Sequence, residues 1–348
     1  MRAIVLPRIA PIEDRPLVET ELPMPTPAAN DVLVKDSVCG LCHTDLDEIE
    51  GRLTPSVLPA VLGHQVVGTV AACGPAVTQH SVGARVGITW LYSSCGRCAC
   101  CASERENLCA QARWTGKDAP GGYAEYLVVG ADSAYPIPEA FSDLEAAPLL
   151  CAGVIGYRTL RLSDLAPGQT VGLFGFGASA HIVIQILRHR WPDNPVFVFT
   201  RGAHHHHLAR QLGAAWTGAP AEIPPSPLDR ALDFTPVGET VRTALSVLNP
   251  GGRLVINAIR KTTAIPELTY EEHLWHEKEI KSVANVTRRD AREFLPLAAR
   301  IPLRPTVQPF PPEQANDALL LLKQGKLQAA AALRFAHDGA GSAPATAL

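Results

Sequence analysis

Long apolar runs are missing from this chain. No stretch of about 18 uninterrupted apolar residues occurs, which excludes a membrane-spanning helix of ordinary length. The opening Met-Arg-Ala-Ile-Val-Leu is too short a run for an export signal, so the expected location is cytoplasmic. An excess of one charge is missing as well. Lys and Arg number 31 against 34 Asp and Glu, a net charge of −3, and no broad basic field is left for nucleic acid. Internal repeats are absent. At 348 residues with 47% hydrophobic content, the chain can build two domains with a core each and has no need of metal simply to fold.

Cysteine is the residue that is not scarce. There are nine, five of them between Cys95 and Cys109. In a chain expected to stay in a reducing compartment, a disulfide framework is disfavoured and metal binding is the better reading. Cys95-Gly-Arg-Cys98-Ala-Cys100-Cys101, then Cys109 after seven residues, gives C-x2-C-x2-C-x7-C. Cys95, Cys98, Cys101 and Cys109 can close four thiolates tetrahedrally round a zinc ion with no position left open, which makes the site structural. Cys100 breaks the spacing and reads as a bystander. The competing reading, free surface thiols, would leave several oxidation liabilities side by side.

Two regions differ in pattern. The first 150 residues carry short β-like runs, Asp31 to Lys35 and Gln65 to Val70 among them, divided by Gly and Pro turns. After Cys151 apolar strands alternate with helical stretches: Thr170 to Phe174, Ser179 to Arg190, Val196 to Thr200, His204 to Leu212. That alternation predicts a parallel sheet with crossovers. Leu254 to Asn257 and Ile280 to Asn285 read as later strands. A helix at Glu313 to Lys323 and a strand near Ala330 should rejoin the first domain. Residues from Ala336 on, rich in Gly, Ala, Ser and Pro, read as a frayed terminus.

The order of motifs is more specific than any one of them. Cys39-Gly-Leu-Cys42-His43-Thr44-Asp45, Gly63-His64-Gln65, the four-cysteine lobe and Pro148-Leu-Leu-Cys151-Ala-Gly together resemble the zinc-containing alcohol dehydrogenases of the medium-chain dehydrogenase/reductase family. The likeness runs from about residue 1 to residue 335. It implies an α/β protein: a GroES-like, mostly-β catalytic domain over 1–151 that carries the zinc lobe and is completed by 288–336, and a Rossmann nucleotide-binding domain, a doubly wound parallel sheet, over 152–287. Residues 337–348 are left as a flexible tail.

Position by position, the resemblance implies that Cys42, His64 and Cys151 bind a catalytic zinc and leave a fourth position for water or an alcohol oxygen. Asp45 matches the carboxylate that orients the ligating histidine, and Thr44 the hydroxyl that takes the substrate proton. The implied reaction is reversible hydride transfer between a small or medium alcohol and a nicotinamide cofactor, zinc lowering the alcohol's pKa. Gln65 stands where many relatives have Glu, removing one negative charge near the zinc, and Asp47 stands where some carry a relay histidine. Trp90 matches a position that lines the substrate pocket. Cys39 and Cys73 match no role and read as small core residues. Relatives are homodimers or homotetramers joined through the edge strands of their nucleotide domains. The alternatives are a polyol or aromatic-aldehyde reductase of the same family, and a non-catalytic dinucleotide-binding protein that keeps the zinc lobe for folding.

Gly175-Phe-Gly177-Ala-Ser-Ala180 follows a predicted strand and opens a predicted helix, the context in which glycines bring backbone close to a pyrophosphate. His43 adds a pyrophosphate contact if the resemblance holds. Twenty residues after Ala180, where an NAD enzyme places an acidic residue for the ribose diol, stands Thr200-Arg201. A hydroxyl beside a guanidinium suits a 2′-phosphate, favouring NADP over NAD. The run His204 to His207 points in several directions on a helix and reads as a solvated face.

Overall fold

The computed structural model describes residues 1–301, 303, 305–327 and 330–335. The expected flexible tail at 337–348 lies outside the described residues. The chain divides into two compact units, one built from Met1–Tyr92, Arg113–Ala147 and the chain from Pro305 onward, the other from Ser93–Ala112 and Pro148–Arg304.

In the first unit a long strand, Asp31–Leu41, is the spine of a seven-stranded sheet. It pairs antiparallel with Val66–Cys73, with Tyr126–Gly130 and with Ala330–Arg334. Alternation of β-branched and polar residues makes one side of this sheet apolar. Val32, Val34, Val66, Val70, Leu127 and Val129 are all buried there. The strand continues past the sequence-predicted Lys35 because Val38-Cys-Gly-Leu41 keeps partners on both sides. It ends at Cys42, where a capping box starts the helix His43–Ile49: Asp45 accepts the Cys42 backbone N–H at 2.7 Å.

The second unit holds a six-stranded, all-parallel sheet. Its strands lie in the order Trp216–Gly218, Val196–Phe199, Val171–Phe174, Leu228–Asp233, Leu248–Ile256, Glu279–Ser282. In chain order this is 3-2-1-4-5-6, the doubly wound arrangement whose ligand crevice opens where the winding reverses, between the first and fourth strands. Central strands are apolar without alternation because helices cover both faces; every residue of Val171–Phe174 and Val196–Phe199 is buried. Phe174 and Phe199 stack across them at 4.1 Å between centroids.

The cysteine lobe, Ser93–Ala112, interrupts the first unit in sequence yet falls in the second. Polar contacts explain this. Asn107 donates to the Ala284 carbonyl, and the Arg288 backbone N–H donates to buried Glu106 at 2.7 Å. The helix Arg288–Arg300 also stays with the second unit, because Asp290, wholly buried, pairs with Arg158 at 2.8 Å and with Arg161 at 3.2 Å. The chain returns to the first unit only from Pro305. Among the described residues no helix is long and apolar enough to cross a membrane.

Candidate active site and metal centres

Four cysteines of the lobe converge. The sulfurs of Cys95, Cys98, Cys101 and Cys109 all lie within 4.8 Å of one another, and none is in a disulfide. Cys98 and Cys101 are 3.6 Å apart, Cys95 and Cys101 3.9 Å. Four ligands at about 2.3 Å from a tetrahedral ion have edges of about 3.8 Å, close to these two separations. Backbone N–H groups of Arg97 and Cys98 point at the Cys95 sulfur and hold its thiol down to about 6. The Cys101 thiol is also lowered, chiefly by Ser94. Thiolates so favoured are ready metal ligands. Cys100, the predicted bystander, is outside this group.

In the first unit the helix His43–Ile49 and the turn Gly63-His64-Gln65 meet. Gly63 has φ +92°, and a Cβ there would fall 2.4 Å from the Tyr123 ring, so only glycine lets the turn pack. His64 is fully buried and held from both ends. Its Nδ1 faces Asp45 at 3.4 Å, and its Nε2 lies 3.4 Å from the Cys42 sulfur. A sulfur and a nitrogen on one zinc are about 3.5 Å apart, so this pair also fits. With Nδ1 facing the Asp45 carboxylate, the tautomer that carries its hydrogen there leaves Nε2 a lone pair for a metal. Burial by itself would lower the imidazole's pKa, but the Cys42 sulfur and the Asp45 carboxylate outweigh it and hold the pKa well above the ordinary histidine value. The Thr44 backbone N–H donates to the Cys42 sulfur at 3.2 Å. Trp90 sits 5.7 Å from the His64 ring and 5.4 Å from Trp114.

The two departures from the common pattern have structural consequences. Gln65 is buried against Gly40, and its side-chain N–H2 has no partner. Asp47 forms an ion pair with Arg52, which ties up the carboxylate at the position of a relay histidine. Glu48, which no motif pointed to, is also buried near His64. Neither of its oxygens has a hydrogen-bond partner among the described residues, and burial, then the Asp45 charge, push its carboxyl well above the usual range. Its signal in the sequence was only its place one turn beyond Thr44 on the helix. His43 is exposed.

In the second unit Cys151 caps the helix Ala152–Ser163. The strand Val171–Phe174 runs straight into the glycine loop, and the helix Ala178–Arg190 starts after Gly177. Gly175 has φ +83°, with Thr235 close to where a Cβ would lie; a Cβ on Gly177 would meet nothing within 4 Å, leaving room for a phosphate at the helix start. Ala180 is fully buried, as close helix-to-strand packing requires. Thr200 directly follows the strand Val196–Phe199 and is buried, while Arg201 beside it is exposed and makes no ion pair with any described residue.

A GroES-like β unit with a doubly wound dinucleotide sheet, carrying cysteine and histidine at these stations, defines a class of medium-chain oxidoreductases. Comparison with known proteins agrees. Residues 28–139 match the family model described as alcohol dehydrogenase GroES-like domain. A protein named probable alcohol dehydrogenase AdhA, from Mycobacterium tuberculosis (strain CDC 1551 / Oshkosh), is 44% identical over 338 residues, 96% of this chain and 97% of its own. A solved NAD-dependent alcohol dehydrogenase superposes with a TM-score of 0.88 at 25% identity, covering 97% of this chain and 100% of its own. A putative zinc-binding dehydrogenase from Sinorhizobium meliloti 1021, solved bound to NADP, gives 0.82 at 25% identity, covering 96% and 98%. The chain belongs to the zinc-type alcohol dehydrogenases of the medium-chain dehydrogenase/reductase family.

Proposed function

We propose that this alcohol dehydrogenase is zinc-dependent and NAD(P)-linked, favours NADP, and interconverts small or medium alcohols with their aldehydes or ketones. The observation that carries the reading is His64 fixed between Asp45 and the Cys42 sulfur, with Nε2 turned toward the thiolate. Cys42, His64 and Cys151 would hold the catalytic zinc, and Cys95, Cys98, Cys101 and Cys109 the structural one. When bound, zinc supplies Lewis acidity and the nicotinamide accepts or returns the hydride.

The chain's own residues do the rest. Asp45 keeps the imidazole in the ligating tautomer. The Thr44 hydroxyl, on the first turn of the helix that Cys42 caps, takes the proton of the alcohol. With Asp47 engaged by Arg52, His43 would be this chain's own group for the outward proton path, the ribose of a bound cofactor being the other route it would supply. Trp90, tilted against the His64 ring, narrows the substrate pocket toward apolar chains. Gly175, Gly177 and Ala180 form the pyrophosphate cradle, and Thr200 and Arg201 read the adenosine ribose. Nine cysteines without a disulfide suit a cytoplasmic setting. The fully exposed edge strand Glu279–Ser282 suits a homodimer or homotetramer.

Metal analysis combined with a coenzyme-fluorescence screen over primary alcohols, secondary alcohols, polyols and aldehydes tests the proposal. Two zinc per chain with turnover is expected. One zinc without turnover would leave a dinucleotide-binding protein in its place.

A further inference from the structure

The four consecutive histidines are not equivalent in the structure. His204, His205 and His207 are exposed and His206 is half-buried, yet His205 alone reaches back to the preceding strand, where its Nδ1 lies 3.3 Å from the Thr200 Oγ1. Its ring stands edge-on to Phe176, the middle residue of the glycine loop, at 6.5 Å. His205 therefore borders the cradle and the end of the second strand together, where the ribose of a bound dinucleotide lies in this type of sheet.

We propose that His205 completes the adenosine-ribose subsite with Thr200 and Arg201, and that its protonation makes affinity for a 2′-phosphorylated dinucleotide depend on pH while affinity for the unphosphorylated one does not. The inference rests on the reading of Thr200-Arg201 as a 2′-phosphate site. In the neutral ring Nδ1 accepts the Thr200 hydroxyl hydrogen. In the imidazolium Nδ1–H donates to Thr200 Oγ1, and the hydroxyl hydrogen is released to point elsewhere. One proton taken up by His205 thus produces a cation and frees a second donor, both close in the chain to the exposed Arg201. A dianionic phosphate is the group that gains from that change, and a ribose diol is not.

The surroundings hold the switch in a useful range. On its own helix His204 and His206 flank the ring, and burial followed by these two neighbours lowers the His205 pKa below its ordinary value. From the glycine loop it meets Phe176, which in turn contacts His181 of the helix Ala178–Arg190. Past the neighbouring strand Trp216–Gly218, the acid Glu222 accepts the Ala219 backbone N–H at 2.9 Å. No carboxylate among the described residues bonds to Thr200, Arg201 or His205, so the unliganded ring is mostly neutral at pH 7, and an arriving phosphate draws a proton onto it.

Fluorescence titration of the zinc-loaded protein with NADPH and with NADH, from pH 8.5 to 6.5, tests this. The expected result is that NADPH binds about three- to fivefold tighter at the lower pH, the part of one pKa unit of linkage that this window reaches, while NADH changes less than about twofold. His205→Asn should keep the fold, since the residue is exposed, and abolish the tightening of NADPH toward low pH; His204→Ala should leave it. Titration of the phosphate itself, near pH 6, is common to wild type and variant and drops out of the comparison. Equal slopes for the two coenzymes, or an NADPH slope that survives His205→Asn, would overturn the inference. Tighter binding of NADH at every pH would overturn the NADP preference instead, and the His205-dependent slope of the ratio would still stand or fall separately.

Discussion

The imidazole of His64 has two suitors for one nitrogen. With Asp45 on Nδ1, either a metal or a proton occupies Nε2, and the neighbouring thiolate and carboxylate raise the pKa so that the proton competes strongly. The sign is that metal uptake releases this proton, so uptake weakens as pH falls below the raised pKa. Zinc or cobalt titrated into chelator-stripped protein should bind more weakly at pH 6 than at pH 8 at the catalytic site. Asp45→Asn should cost roughly 10–100-fold in metal retention or turnover, because the amide holds the ring less firmly in the ligating tautomer. Competition against a chelator, followed alongside kcat, checks this; unchanged retention together with unchanged kcat would remove Asp45 from its role. These residues were legible because each ligand sits in a short motif. Glu48 and His205 were not, because a buried unpartnered carboxyl and a single back-reaching imidazole leave no spacing signal.

Among the elements, strong apolar strands were read where they lie, and helix starts to within a residue or two. Trp216–Gly218 and Leu228–Asp233 were missed. The first is short and ends in glycine; the second, Leu-Asp-Arg-Ala-Leu-Asp, carries three charged residues that look wrong for a central parallel strand. Asp229 and Arg230 lie at its N-terminal end, where they cap neighbouring backbone, and Asp233 is buried but pairs with Lys261. Propensity lost to tertiary context there. Asp290 shows the energetic counterpart. It closes the capping box of Arg288–Arg300 through Thr287 and receives two arginines while fully buried. Asp290→Ala strands the Arg158 guanidinium and should destabilise the second unit by about 3–5 kcal/mol. Urea denaturation with tryptophan fluorescence reads this directly.

For the molecule as a whole, the change from β-rich to alternating pattern marked the two architectures, but not the allegiance of the lobe or of Arg288–Arg300. Both are decided by polar contacts between residues more than a hundred positions apart, such as Asn107 with Ala284. Local pattern cannot carry that information. Assembly belongs to this scale too. Proline at Ile280 removes a ladder N–H in the edge strand Glu279–Ser282. Light scattering should then show the proposed oligomer of Ile280→Pro dissociated to monomers, with the sheet's inner strands intact.

The pairing of Ala330–Arg334 with Asp31–Leu41 joins the end of the described chain to its beginning, Leu333 opposite Cys39. During synthesis this reverses the order of completion. Everything the second unit needs, from Ser93 to Arg304, has been made before the first unit's last strand exists. At about 5–20 residues per second, the spine strand waits many seconds for one of its neighbours. Of the two units, the one whose strands are begun first is therefore the one finished last, and the open edge of its spine strand is what a chaperone would have to guard in the interval.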